Sequence, residues 1–472
     1  MMNKVKSYIA KVNNMTPAAK ASFWFVVSNI VLKGISFITT PIFTRLLDVA
    51  DYGVSNLFIT WEGIISVFAT LSLSGGVYNV AMTKYEDDVD IVTSSLIGLT
   101  ALSSTIVYTC CIVVNFLFPN LFELNTGYLV FMWVQTFFNA TTAFWLMRKR
   151  FTFDYKKVIA YTFSNAILSP VVAIIAVYFT NENKAYAKVI GSGLWPIFIG
   201  LVIMIMLVFK GKKLYHKEYW IFALKFNIPL LPHYLSSNAV GSIGKLMLNY
   251  FYDATYVGLY GIANSITGVM SIVTGSINNA LIPHTLQCIK NGTIKELSKS
   301  IKRYLSLIAI VCCGILLFSR EAILILATPD YMDSIWFVAP LVLGTFISFL
   351  SGIIGNIVFY YEETKFMSYA TMVTAVANVV LNFLGIKLFG PYSVGYVTLI
   401  TNLIRFFMYY FTAKKFEKNL KDIVSLKFVL TMFLCLFIFM ILSLIFWENL
   451  IVKILLLGVV GVFVIVFRKH IF

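Results

Sequence analysis

The chain has 472 residues, 59% of them hydrophobic and 12% charged, where a soluble domain carries about a quarter charged residues. That composition excludes a soluble globular protein and points to an all-α polytopic membrane protein. The formal net charge of +16 does not indicate nucleic acid, because the lysines and arginines lie in short segments between apolar runs, the distribution that membrane orientation produces.

Apolar runs able to cross a hydrocarbon core of ~30 Å are expected at 21–43, 54–80, 91–118, 127–147, 157–180, 185–208, 221–250, 255–287, 304–319, 334–360, 367–388, 391–412, 425–446 and 449–467, fourteen in all. The basic, polar first twenty residues precede a run long enough to span rather than to be cleaved as a signal peptide. With the N-terminus inside, 28 of the 37 lysines and arginines fall in inside segments. Five (Arg45, Lys184, Lys188, Arg320, Lys387) fall outside, and four (Lys33, Lys245, Arg405, Lys453) fall within spans. This asymmetry places both ends in the cytoplasm. The six cysteines lie in or beside apolar runs and read as buried hydrophobes. The four histidines are scattered, and neither a metal site nor a cofactor is expected.

Polar residues within spans carry the functional reading. In the first span, Asn29, Lys33, Ser36, Thr40 and Thr44 form a stripe, and Lys33 is too central to snorkel comfortably. It is expected to face a cavity or to pair with a carboxylate such as Glu62. Arg45, at an outer helix end, is either an interfacial anchor or a functional contact. Glu62 is the sole intramembrane carboxylate, a counter-ion for Lys33 or Arg45 or else a proton or sodium coupling site. The acidic turn Glu86-Asp87-Asp88-Val89-Asp90 reads as a solvated loop at a helix N-terminus or as a gating contact with a basic neighbour.

The seventh span holds Pro229 and Pro232 within it. Asn238, Ser242, Lys245 and Asn249 follow at helical spacings of four, three and four, on one face. A charge in that setting costs several kcal/mol unless it meets protein or water. The eighth span carries the longest stripe: Asn264, Thr267, Ser271, Thr274 and Asn278. Such stripes also arise from close helix packing, but beside several cations they describe a wet, positive interior. In the twelfth span Arg405 follows Thr398, Thr401 and Asn402. His233 and His284 are expected to be hydrogen-bonded helix residues.

The stretch 229–266 echoes 21–62. Each has an apolar helix bearing a cation, a turn with an aspartate, and a second helix, and Tyr256-Val257-Gly258 sits where Asp51-Tyr52-Gly53 sits, 205 residues earlier. Internal repeats with a substrate site between them are common in transporters, so a central polar space is expected. A positive cavity implies an anionic cargo, and Lys and Arg both bind phosphate, Arg bidentately. No nucleotide-binding loop, catalytic triad or paired carboxylates accompany the spans.

Four passages resemble the polysaccharide-transporter branch of the MATE-like exporter superfamily, the Wzx-type flippases for undecaprenyl-diphosphate-linked oligosaccharides. They are 33–58 with P-x-x-T-R and D-Y-G, 224–264 with P-L-x-P and V-G-L-Y, 334–366, and 376–402 with N-x-x-L-N and F-G-x-x-x-x-G. The resemblance implies two pseudo-symmetric six-helix lobes around a central cationic cavity, plus two C-terminal helices, working by alternating access. The expected division is a cytoplasmic segment 1–20, an N-lobe 21–208, a linker 209–220, a C-lobe 221–412, and a loop with the last two helices, 413–472. It implies transport of O-antigen, capsule or related units across the bacterial cytoplasmic membrane, with a polysaccharide polymerase and a chain-length regulator as partners. Lys33 and Lys245 match the family's headgroup-binding cations. Arg405 and Arg45 complete the candidate cationic site, and Asn29, Thr40, Asn238, Asn249, Asn264, Ser271 and Asn278 its polar lining. The chain departs from the family at Gly244-Lys245, where many members place an acid before the cation. Three rival readings remain: a multidrug exporter with a cationic cargo, which would need an acid-lined cavity; a membrane-embedded polymerase or ligase, which would need a large outer loop; and a non-transporting scaffold.

Overall fold

A computed structural model describes residues 17–119, 121–449, 451–458 and 461. The side chains of Asn29 and Lys33 lie outside the described residues. Among the described residues the chain forms seventeen α-helices and no strand. They are α1 Pro17–Leu46, α2 Val49–Ala69, α3 Gly76–Lys84, α4 Val89–Leu117, α5 Thr126–Phe151, α6 Tyr155–Tyr178, α7 Lys184–Gly211, α8 Lys217–Asn227, α9 Leu231–Phe251, α10 Ala254–Asn291, α11 Ile294–Leu317, α12 Ser319–Leu326, α13 Ile335–Tyr360, α14 Thr364–Phe389, α15 Ser393–Phe416, α16 Leu420–Ile423 and α17 Leu426–Ile445. Ten of them are long and apolar enough to cross a membrane, so the chain is a multi-pass membrane protein. Of the expected last span, 449, 451–458 and 461 are described, and all of these but 449 are helical.

Two expected spans are broken. The second ends at Ala69 and resumes at Gly76. Between them Leu71 and Ser72 take left-handed backbone, each at φ 49°, and the Leu71 carbonyl accepts from Asn227 Nδ2 at 2.6 Å. The seventh is divided by a 3-10 turn, Ile228–Leu230, which holds Pro229 at its start. Pro232 is the second residue of α9. A proline has no N–H to give an interior helical bond but fits a first turn without loss. The two prolines therefore delimit helices instead of lying inside one. After α11, Arg320 and Glu321 fall in the separate short helix α12. There Glu321 accepts from Lys453 at 2.6 Å, so the intramembrane cation Lys453 is ion-paired.

Contacts divide the chain into two compact units: one of the described residues up to 47 with 57–238, the other of 48–56 with those from 239 onward. In the first, Leu96, Ile97, Tyr78 and Phe144 bury against α4, α5 and α7, and Tyr78 donates to or accepts from Thr93 Oγ1 at 2.7 Å. The acidic turn is absorbed there. Asp90 pairs with Arg148, and Asp88 accepts from the Tyr219 hydroxyl at 2.8 Å.

The second unit is built around α13, whose most apolar window is 83% buried. A helix apolar on all sides belongs in the interior, and α10 and α15 flank it. The first turns of α2 also belong to this unit, and here the repeat becomes visible. Asp48 and Asp253, 205 residues apart, each cap a helix: Asp48 Oδ1 accepts from Asp51 N at 2.6 Å and Asp253 Oδ1 from Thr255 N at 2.8 Å. Gly53 and Gly258, at the same offset, lie backbone to backbone. A Cβ on Gly53 would overlap the carbonyl oxygen of Ala254, and one on Gly258 that of Val49. Val49 and Ala254 are themselves 205 apart. Reciprocal contacts between equivalent positions are what a two-fold relation generates.

Candidate functional site

The 205-residue register aligns Lys33 with Asn238 and Lys245 with Thr40. The two cations therefore sit seven residues out of step. That is about two helical turns, or roughly 10 Å along the axis, on the same face. The halves share a stripe but not the depth of its charge. Within α1, Thr40 is buried and bonds to Ser36 O at 2.8 Å, while Arg45 is exposed and donates to Pro41 O at 2.8 Å. On α9, Asn238 is exposed and bonds to Tyr234 O at 3.2 Å, within its own helix. Asn249 is buried, at 5% exposure. Lys245 is half-buried, with no hydrogen-bond or ion-pair partner among the described residues.

The absence of an acid before Lys245 has a steric reason. A Cβ on Gly244 would stand 2.6 Å from Val394 Cγ1 and 3.8 Å from Asn382 Oδ1. α9 therefore approaches α15 closely, and a carboxylate side chain has no room. Asn382 belongs to a buried relay: its Nδ2 donates to Asn378 Oδ1 at 3.0 Å, and Asn378 Nδ2 donates to Thr401 Oγ1 at 3.3 Å.

In the first unit Glu62 is held by neutral groups. Gln135 Nε2 and Asn139 Nδ2, one turn apart on α5, each donate to one carboxylate oxygen at 3.4 Å. Neither amide was singled out in the sequence, although their spacing of four is a helical-face signal.

The second unit holds a polar cavity of about 500 Å³, and several expected residues meet there. Ser271, Thr274 and Asn278 enter it from α10, and Arg405 from α15. Asn264, on the same stripe, does not line it. α13 supplies what the sequence reading missed: Ser348 and Asn356, with Gly352 and Gly355 giving room. A Cβ on Gly352 would stand 3.4 Å from Asn278 Oδ1, and one on Gly355 3.3 Å from the Tyr409 ring. Asn356 Nδ2 donates to Asn278 Oδ1 at 3.0 Å, joining α13 to α10.

Arg405 is fixed by a single nitrogen. Its Nη2 donates to Ser348 Oγ at 2.9 Å and to Asn402 Oδ1 at 2.8 Å. A guanidinium has five N–H donors. Two are thus used, and the three on Nε and Nη1 have no protein acceptor among the described residues. No aspartate or glutamate lines the cavity. A guanidinium held by neutral dipoles, with donors left over, can donate to an anion that enters the cavity.

Residues 18–289 match the family described as polysaccharide biosynthesis protein. Among curated proteins, Lsg locus putative protein 1 of Haemophilus influenzae is 21% identical over 418 residues, 85% of this chain and 99% of its own length. Among solved structures, lipid II flippase MurJ in an inward closed conformation superposes with a TM-score of 0.65 at 16% identity, covering 95% of this chain and 99% of that one. An inward-facing multidrug resistance MATE family transporter of the MOP superfamily gives a TM-score of 0.57 at 12% identity, covering 82% and 95%.

Proposed function

Since the chain belongs to the polysaccharide biosynthesis protein family, we propose that it is a flippase, carrying undecaprenyl-diphosphate-linked oligosaccharide across the bacterial cytoplasmic membrane by alternating access for a surface polysaccharide. One observation supports an anionic cargo above the rest: Arg405 lines a polar cavity that has no acid, with three of its donors unused. The cargo's diphosphate supplies oxygens for those donors, and Lys245 offers further charge within the same unit. The serine, threonine and asparagine side chains beside Arg405 suit sugar hydroxyls, which both donate and accept. A polysaccharide polymerase and a chain-length regulator are the partners this reading expects.

A cell lacking the protein tests the proposal. It should accumulate the lipid-linked oligosaccharide on the cytoplasmic face and lose its surface glycan. The competing reading is a multidrug exporter, and Glu62 is the observation that favours it, since an intramembrane carboxylate without a cationic partner among the described residues can face a cationic cargo. Intact surface glycan together with intracellular accumulation of cationic dyes would establish that reading and reject the flippase.

A further inference from the structure

Away from these polar groups, the first unit has an apolar groove of about 860 Å³ between α4, α7 and the connection that follows α7. Its walls are open to the side: Leu102 is 49% exposed, Ile205 44% and Phe209 75%. At one end stands Lys212, which also lines the groove. Ile205 lies seven residues before Lys212, so the groove runs about 10 Å along the helix from a cation into an apolar trough. The positive-inside pattern puts the cationic end on the cytoplasmic side, and Lys210, Lys213 and Lys217 lie within five residues of Lys212 in the sequence.

Lys212 is held there by force of backbone. It caps α7 in the left-handed region at φ 59°, a position that favours glycine because a Cβ is disfavoured there. The connection cannot relax, because it is fastened to α4. Ser94 Oγ donates to Lys213 O at 2.8 Å, and Trp220 Nε1 donates to Ser95 O at 2.9 Å. Gly98 lets the Leu214 carbonyl lie directly on α4. Tyr215 packs edge-to-face on Trp220, centroids 4.8 Å apart, in the manner of an interfacial aromatic pair. Lys212 is exposed and its ammonium has no partner among the described residues, so it is open to a ligand at the end of the groove.

We propose that this groove binds one anionic glycerophospholipid of the cytoplasmic leaflet, its phosphate on Lys212 and an acyl chain along Leu102, Ile205 and Phe209. Charge complementarity selects this occupant: the trough is apolar throughout, its only charge is a cation at the headgroup end, and the cytoplasmic leaflet is where anionic headgroups attract basic clusters beside spans. The site is separate from the cargo site of the second unit and does not depend on what that site carries.

The test uses the full-length protein in detergent with dioleoyl phosphatidylglycerol or dioleoyl phosphatidylcholine added at equal mole fraction. Two quantities are read: the thermal unfolding midpoint, and the number of lipids retained, counted by native mass spectrometry. Phosphatidylglycerol should shift the midpoint upward and leave one lipid bound, and phosphatidylcholine should do neither. Lys212→Gly, a residue the left-handed backbone there accepts readily, should lose both effects while keeping the midpoint of the lipid-free protein. Ala101→Trp, which fills the trough, should lose lipid retention while keeping Lys212. Equal responses to the two lipids in the unaltered protein, or a phosphatidylglycerol response that survives in Lys212→Gly, would overturn the proposal. A larger shift with undecaprenyl phosphate than with phosphatidylglycerol would overturn it too, by giving the groove to the cargo's tail.

Discussion

Arg405→Gln removes the charge and the three unused donors while keeping a polar side chain able to reach Ser348 or Asn402. A hydrogen bond to a charged group contributes about 1.5–3 kcal/mol net, and each 1.4 kcal/mol is about a factor of ten. Loss of one such bond to the cargo's phosphate should therefore slow transport roughly 10- to 150-fold at sub-saturating cargo. Arg405→Lys keeps the charge but cannot hold Ser348 and Asn402 with one nitrogen while offering others to the cavity, so it should fall between the two. Ser348→Ala removes only a positioning contact and should cost about fivefold, the value of an ordinary hydrogen bond of ~1 kcal/mol. The assay is the initial rate at which a fluorescent undecaprenyl-diphosphate oligosaccharide crosses the bilayer of proteoliposomes, with the reconstituted amount matched for each variant. Wild-type rates for Arg405→Gln would refute the assignment of Arg405 as an anion contact.

Other expectations follow from the same geometry. Gly53→Ala and Gly258→Ala each place a methyl group against a backbone oxygen and should each destabilise by about 1–3 kcal/mol, read as lower unfolding midpoints. Because both changes open the same crossing, the double variant should lose less than the sum, a coupling that a double-mutant cycle measures. Asn356→Leu leaves Asn278 Oδ1, half-buried at the cavity wall, without its donor and should destabilise by about the 0.5–1.5 kcal/mol of an ordinary hydrogen bond, read as a lower midpoint. Asp154 lies in the loop between α5 and α6. Its slight burial works to raise its pKa, but Lys157 at 3.1 Å and Lys149 at 3.5 Å prevail and hold it below the ordinary aspartate range. A lowered folded-state value means that its contribution is present above the unfolded value of about 3.9 and disappears as pH falls through the folded one. Asp154→Asn should thus be slightly less stable than the unaltered protein at neutral pH and equal to it near pH 2.

Much of the second-unit cavity was legible in sequence, because Ser271, Thr274 and Asn278 repeat at three and four and therefore share a face of α10. Arg405 was legible as a charge too deep to ignore. Its partners on α13 were hidden by the apolar bulk of that helix. Thr345, Ser348, Gly352 and Asn356 also repeat at three and four, but three polar residues and a glycine, each about a turn apart, do not dent a hydropathy profile. The breaks at 70–75 and 228–230 escaped for a related reason: hydropathy registers apolar length, whereas left-handed backbone at Leu71 and Ser72 and a missing N–H at Pro229 are properties of the chain's path. The turn aspartates, by contrast, were readable in both copies, since a cap is a local interaction of a side chain with the backbone two or three residues on.

The crossing of Gly53 and Gly258 has a mechanical consequence. Most helix contacts are toothed: knobs occupy holes, and any rotation must lift one row of side chains over another. Where the first turns of α2 and α10 meet, the closest approach is backbone to backbone at Gly53 and Gly258, with the side chains of Val49 and Asn56 at its edge. Hard contact at the two glycines fixes the distance between the helix axes. Because the same glycine stands at the same register on both helices, a single methyl group added to either one forces the two axes apart.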